Sequence, residues 1–346
     1  MPKESTSPMS TNPVQGGKVT IKQVAQQAGV STASVSYVLS GRSGATGRNG
    51  GVAQETAQRI RRVAERMGYA PDLAARKIRT GRSDTILLSL TMLSDPWSLA
   101  VIEAVQRRAM PLGITPMILA DADWSRVLKS HDADAMFVDA VSPGQEELLT
   151  ALSSQGKRLV VFHEEMQPKG FDVIRSLAGP GCVLAMDHLL RNHHKIAILT
   201  TERARERHDS ARFMPYLDGL VKAGIPVRED YIDFFDRSPA SAYAAAMRLL
   251  DRPDRPTAIY ATTDFAAMSA INAAQRLGLR VGVDVDVVGV GNTSEGESMV
   301  PSLTSVGPEG FFDELARILV ARAQGDEQDP RAVDFHWKLF SRESAR

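Results

Sequence analysis

Residues 19–41 read VTIKQVAQQAGVSTASVSYVLSG, and the fold is decided there. Thr20 stands where a helix needs a cap. Gln23, three positions on, completes a capping box, and Val19 and Val24 occupy the positions of a hydrophobic staple. The apolar spacing predicts a helix over Ile21–Ala28, ended by Gly29, where a positive φ is cheap only for glycine. Ser31 then caps a second helix over Thr32–Leu39. Ala25 is small where two helices must cross, and Val24, Val35, Val38 and Leu39 make the inner face. This is helix-turn-helix spacing. Thr32, Ala33, Ser36 and Tyr37 fall on the exposed start and outer face of the second helix, where short polar side chains let a helix enter a DNA major groove. Thr32 can bond a base edge or phosphate, Ala33 can touch a thymine methyl, and Tyr37 can reach base or backbone. The competing reading is a helical hairpin that only packs.

The charge distribution supports the first reading. The 346 residues carry no net charge, yet residues 18–83 hold twelve Lys/Arg against three Asp/Glu, a net +9 balanced by −9 beyond them. A small basic segment joined to a large acidic one points to a polyanion partner for the first. Composition is otherwise that of a globular chain, with 43% hydrophobic and 24% charged residues. One cysteine, Cys182, excludes an internal disulfide and suits a reducing compartment. No apolar run approaches the roughly 18 residues that span a bilayer, and no signal-peptide core is evident. The expectation is a cytoplasmic, nucleoid-associated chain without membrane contact.

Residues 1–17, MPKESTSPMSTNPVQGG, have the composition of a disordered tail. From Thr85 the pattern changes to short β-branched runs alternating with helical stretches. Candidate strands are 85–90, 114–119, 135–140, 158–163, 195–200, 231–235, 257–262 and 286–290. The alternation predicts right-handed βαβ units in parallel sheets, and two sheets of similar size fit the length better than one. The expected fold class is an all-α helix-turn-helix headpiece followed by an α/β domain of two parallel-sheet subdomains. Between the two lies APDLAARKIRTGRS (70–83), with Pro71 suited to the first turn of a short helix and Gly81 to its end. Ala74, Ala75 and Ile78 would form an apolar wedge, flanked by Arg76, Lys77, Arg79 and Arg82 for phosphates. A basic linker is the alternative.

Residues 19–41, with ETAQRIRRVAERMGYAPDLAARKIRTGRSDTI downstream and, more loosely, WKLFSRESA near residue 345, resemble the lactose-repressor (LacI/GalR) family of bacterial transcription regulators. The resemblance implies a tail at 1–17, a DNA-binding headpiece at 18–70, a hinge helix at 71–82 and a periplasmic-binding-protein-like effector and dimerisation domain at 83–346. Its two subdomains would span about 84–163 plus 293–325 and about 166–290 plus 330–342. The chain would cross between them near 163–166, 290–293 and 326–331. The implied partners are double-stranded operator DNA, pseudo-palindromic and bound by a homodimer, and a small-molecule effector; no cofactor or metal is implied. Ile78 matches the family's hinge leucine, which enters the minor groove. Tyr37 stands where many members read guanine with arginine, so the half-site should differ from theirs. The glycine-rich loop 41–51 looks about seven residues longer than usual, and its Arg42 and Arg48 are candidates for backbone contact.

By position after strands, the effector candidates are Trp97, Asp139, His163, Arg212, Arg237, Asp264 and Asn292. Arg212 matches the family's sugar-gripping arginine, and Asp264 an aspartate with a structural side to it. Arginine and histidine among these candidates leave an anionic metabolite open beside a sugar. The histidines of DHLLRNHH (187–194) lack metal-ligand spacing on one helix. GVGNTSEG (289–296) lacks dinucleotide-loop spacing, and no catalytic triad has motif spacing. The leading expectation is thus a repressor-type DNA-binding regulator. A small-molecule binding protein without DNA function comes second and an α/β enzyme third.

Overall fold

The computed structural model describes residues 19–39, 52–69, 81–91, 93, 95–139, 141–142, 144–202, 204, 211–236 and 238–346. The chain divides into two compact units, Met1–Ser83 and Asp84–Arg346. The expected tail, the loop 41–51 with Arg42 and Arg48, the hinge residues Ala75, Arg76, Lys77, Ile78 and Arg79, and Arg237 lie outside the described residues.

In the first unit three helices, α1 (Ile21–Ala28), α2 (Thr32–Leu39) and α3 (Gln54–Arg66), surround one core. Thr20 caps α1: its N–H donates to Gln23 Oε1 at 2.8 Å, and its Oγ1 accepts from the Gln23 N–H at 3.4 Å. Gly29 closes the helix at φ 64°, a left-handed value that frees the next N–H, on Val30, to reach back to Ala25 O at 3.1 Å. Ser31 Oγ then accepts from Ser34 N at 3.1 Å and starts α2. Val24, Val35 and Ile60 are fully buried at the centre, with Ala25, Val38, Ala57 and Val63 around them. Small residues at 25, 28, 57 and 64 let three helices meet within one short core.

The second unit holds two six-stranded sheets. The first comprises β1 (Thr85–Leu90), β2 (Thr115–Ala120), β3 (Ala135–Val138), β4 (Leu159–Phe162), β5 (Asp172–Ser176) and β11 (Ala332–Phe335), ordered β2-β1-β3-β4-β5-β11 and parallel throughout. The second comprises β6 (Ile196–Thr201), β7 (Ile232–Phe235), β8 (Ala258–Ala261), β9 (Asp286–Val290), β10 (Thr304–Pro308) and β12 (Trp337–Phe340), ordered β7-β6-β8-β9-β10-β12. Only β12 is antiparallel there. Helices cover both faces, so central strands read as unbroken apolar runs, as in AIYA of β8, buried at every position. On the first sheet α4 (Pro96–Ala109) packs beside α12 (Phe311–Ala323), with α5 (Trp124–Ser130) and α6 (Glu146–Ser154) opposite. On the second, α7 (Ala178–Leu190) and α8 (Met214–Lys222) cover one face. The helices α9 (Pro239–Leu250) and α10 (Asp264–Arg276) cover the other, and the short α11 (Ser294–Ser298) follows β9.

The chain passes between sheets at 176–178, 308–311 and 335–337, later each time than the sequence suggests. The shift has one cause: β5, β10 and β11 each extend a sheet after its last legible strand. All are four or five residues long, and DVIRS, TSVGP and AVDF carry charge, glycine or proline where an apolar run would be read. Subdomain membership moves accordingly, so His163 to Ser176 belong to the first sheet and Asn292 to Pro308 to the second.

The three crossings lie side by side. Trp337 Nε1 donates to Ser176 Oγ at 2.6 Å, Leu177 N donates to Phe335 O at 3.2 Å, and Trp337 pairs with Pro308 in the β10–β12 ladder. Gly181 is required beneath them, because a Cβ there would lie 2.5 Å from the Trp337 ring.

A buried ion pair fastens α12 to the first sheet. Arg322 reaches Asp172 twice, Nε to Oδ2 at 2.6 Å and Nη2 to Oδ1 at 2.9 Å, and its Nη1 bonds Asp326 O at 2.9 Å and Gln328 O at 2.6 Å. Removing the carboxylate alone strands a guanidinium at low dielectric. Asp172→Ala should therefore lower stability by about 3–5 kcal/mol in chemical denaturation. Asp172→Leu/Arg322→Met together should cost clearly less than either single change predicts.

Candidate nucleic-acid interface and effector cleft

The outward surface of α2 is built by exclusion. Val35 and Val38 are committed to the core, which turns Ala33 and Tyr37, four residues apart, to the opposite side. Thr32 and Ala33 are exposed in the first turn, while Ser36 and Tyr37 are half-buried. No charged residue lies on α2, so its helix N-terminus and hydroxyls set its polarity. Thr20 and Ser31 are exposed too, but each spends its hydroxyl on a cap, Thr20 on Gln23 and Ser31 on Ser34. They sit beside the exposed face of α2 and hold its geometry.

The cleft lies at the carboxyl ends of β1, β3, β4 and β9, with the first turn of α4 beside it. It is a cavity of about 150 Å³. Three of the sequence candidates meet there: Trp97, Asp139 and Arg212. Trp97 is the aromatic floor, with ring centroids 5.3 Å from Phe162 and 5.9 Å from Phe311. Asp139 Oδ2 accepts from Thr91 N at 2.7 Å and Thr91 Oγ1 at 3.1 Å. Its Oδ1 is buried and has no hydrogen-bond partner among the described residues. Burial raises this carboxyl above the usual range despite the two bonds from Thr91. Arg212 donates to Thr262 O at 2.9 Å and lies 5.7 Å over the Trp337 ring, so the cleft touches the crossings directly.

Two carboxylates escaped the sequence reading. Asp95 caps α4, accepting from Trp97 N at 3.0 Å, and lines the cavity. Burial pushes its carboxyl up to about 6, against the Trp97 N–H and the Arg212 charge. The Asp-Pro pair at 95–96 is a helix-start signal that could have placed it. Glu164 is raised by burial too, opposed by Arg212 and by an N–H bond from Ala178 at the head of α7. Thr91 and Ser98 add hydroxyls to the lining.

The other candidates go elsewhere. His163 Nδ1 accepts from Glu165 N and Met166 N, both at 3.1 Å, so the imidazole closes a turn beside a separate surface depression with Ser142 and Glu146. Asp264 is 1% exposed and serves as a pin. It accepts from Thr293 N at 2.7 Å, Thr293 Oγ1 at 3.1 Å and Ser305 Oγ at 2.5 Å. Asn292 follows the cavity residue Gly291, but its Oδ1 accepts from Arg342 at 2.8 Å. Two histidines of the run are structural: His188 Nε2 contacts Ala345 O, and His193 bridges Thr257 and Asp286. Among the described residues no group of His, Cys, Asp and Glu could hold a metal ion, and no helix is long and apolar enough to cross a membrane.

Comparison with known proteins identifies the family of both parts of the chain. The family model for bacterial regulatory proteins of the lacI family matches residues 20–72, and that for a periplasmic binding protein-like domain matches residues 186–345. The HTH-type transcriptional repressor PurR of Yersinia pestis bv. Antiqua (strain Antiqua) is 31% identical over 338 residues, covering 94% of this chain and 96% of that one. Among solved structures, the lac repressor dimer bound to operator and the anti-inducer ONPF superposes with TM-score 0.66 at 20% identity, covering 95% of this chain and 99% of that one. The transcriptional regulator CelR–cellobiose complex gives 0.60 at 23%, covering 94% and 100%. At those identities the structures speak for the fold. The PurR match, running almost the full length of both chains, speaks for descent: this chain belongs to the lacI family of bacterial regulatory proteins, DNA-binding regulators of transcription.

Proposed function

We propose that the chain is a repressor that grips a pseudo-palindromic operator as a homodimer, with α2 in the major groove, and that a small effector in the cleft shifts its affinity. The observation that carries the DNA reading is the capped, uncharged α2 surface within a unit of net +9. The reading makes the protein a regulator inside the cell, at the nucleoid, with no catalytic role. Several phosphates per protomer should be neutralised, and each contributes about −0.9 to the slope of log affinity against log salt. A slope steeper than about −4 is expected for the dimer, by fluorescence anisotropy on a duplex selected from random DNA. A slope near zero would overturn the proposal.

The surface favoured for dimerisation is the β2 edge of the first sheet. There Met117 and Ile118 are 48% and 45% exposed, beside Met110 at 56% and Leu112 at 50%. An open, apolar strand edge is costly on a monomer and natural in an interface. Ile118→Lys should convert a sedimenting dimer into the 37.6 kDa protomer and weaken operator binding with it, leaving the circular dichroism unchanged.

The cleft favours a compact hydroxylated ligand over an anion. Asp139 Oδ1 has no donor among the described residues, Asp95 adds a second carboxyl, and Trp97 offers a flat apolar face. A sugar-like or other polyhydroxylated metabolite supplies both donors and face. The cellobiose in the CelR complex is of this chemical kind. Asp139→Ala should abolish the operator response to whichever metabolite a library screen identifies. Effector-free operator affinity should stay within about twofold, since the change does not touch the headpiece.

A further inference from the structure

The helix α3 carries Arg59, Arg61, Arg62 and Arg66, all exposed. Its inner side is Ala57, Ile60, Val63 and Ala64. Arg59, Arg62 and Arg66 follow the i, i+3, i+7 spacing and share the opposite side. Acid partners are within reach in sequence. Glu55 precedes Arg59 by four residues and Glu65 follows Arg62 by three, both spacings at which helical ion pairs form. No hydrogen bond or ion pair engages any of these four arginines among the described residues. In the second unit some exposed arginines pair with carboxylates, as Arg107, Arg248 and Arg280 do, while Arg108, Arg126, Arg191 and Arg276 are exposed singly and form no such row. The stripe on α3 is thus an unneutralised charge row in a unit already at net +9.

Its direction matters as much as its charge. The three helices pack pairwise around one core, so their outward sides point in different directions. The Arg59–Arg62–Arg66 row faces away from the core that α3 shares with α1 and α2. Seven residues of helix advance about 10 Å, so the three guanidinium groups form a short straight row able to meet neighbouring phosphates of a backbone. Guanidinium groups are well suited to phosphate oxygens.

We propose that this face of α3 is a second DNA-binding surface, one that takes the phosphate backbone of a duplex other than the one held by α2. The protein could then be handed from one DNA segment to another without first becoming free. The proposal rests on α2 as the reading helix and adds a separate contact to it.

The test uses the full-length protein on a labelled operator duplex selected from random DNA. The dissociation rate is followed as unlabelled 30-base-pair non-operator duplex is added at fixed salt. For the unaltered protein the rate should climb with competitor concentration, by roughly tenfold over the accessible range. The triple change Arg59→Gln, Arg62→Gln and Arg66→Gln should leave the competitor-free rate and operator affinity unchanged and flatten the climb. Glutamine keeps helix propensity at exposed positions, and an unchanged thermal melt confirms the fold. The matching Arg→Lys triple should restore the climb, because a point charge suffices for a phosphate. Two results overturn the proposal. If the glutamine variant still accelerates with competitor, α3 is only a solvated face. If it loses operator affinity and salt slope without competitor, the stripe touches the same duplex as α2. Failure of α2 itself shows separately, as loss of sequence preference in the unaltered protein.

Discussion

Three adjacent crossings constrain everything in the second unit. A single connection would leave two sheets free to turn in any direction. Three, bonded to one another through Trp337, Ser176, Leu177 and Phe335, leave a narrow axis of relative motion. The carboxyl ends of β1, β3, β4 and β9 open beside that axis, which is where a cleft must form. Arg212 lies over the Trp337 ring and also lines the cavity. A ligand that pulls on Arg212 therefore acts on the joint itself rather than on a distant loop.

What was legible in the sequence had short range. The capping box of Thr20 and Gln23, the glycine at 29 and the serine at 31 each work within four residues, and they made the two helices they bound readable. Strands buried on both faces were readable because burial forces unbroken apolar runs. The crossings were not, because β5, β10 and β11 are short strands placed by their sheet neighbours: β10 sits between β9 and β12, and β5 and β11 lie against each other across more than a hundred residues of sequence. β11 pairs with β5 in this way, with Ala332 opposite Val173.

The cleft was half legible for the same reason. Trp97, Asp139 and Arg212 follow structural positions that a βα alternation fixes. His163 also follows a strand, yet two backbone N–H groups of the next turn claim its Nδ1. Asp264 heads a helix and looks free until Thr293 and Ser305, far along the chain, take both its oxygens. Asp95 was passed over because its capping role concealed its second position, beside the cavity. Nothing in a linear sequence shows which polar groups a distant backbone will consume.

The last strand has a consequence for how the molecule is made. β12 completes the second sheet, Trp337 ties the crossings, and Ser344 and Ala345 are buried against Val287 and Thr304. The headpiece core needs only residues before 70. During translation the amino-terminal unit emerges first and has all its core partners at once. The second sheet must wait, open at its β10 edge, until residues 337–345 leave the ribosome. A nascent chain therefore presents a formed helix-turn-helix long before it has a finished cleft.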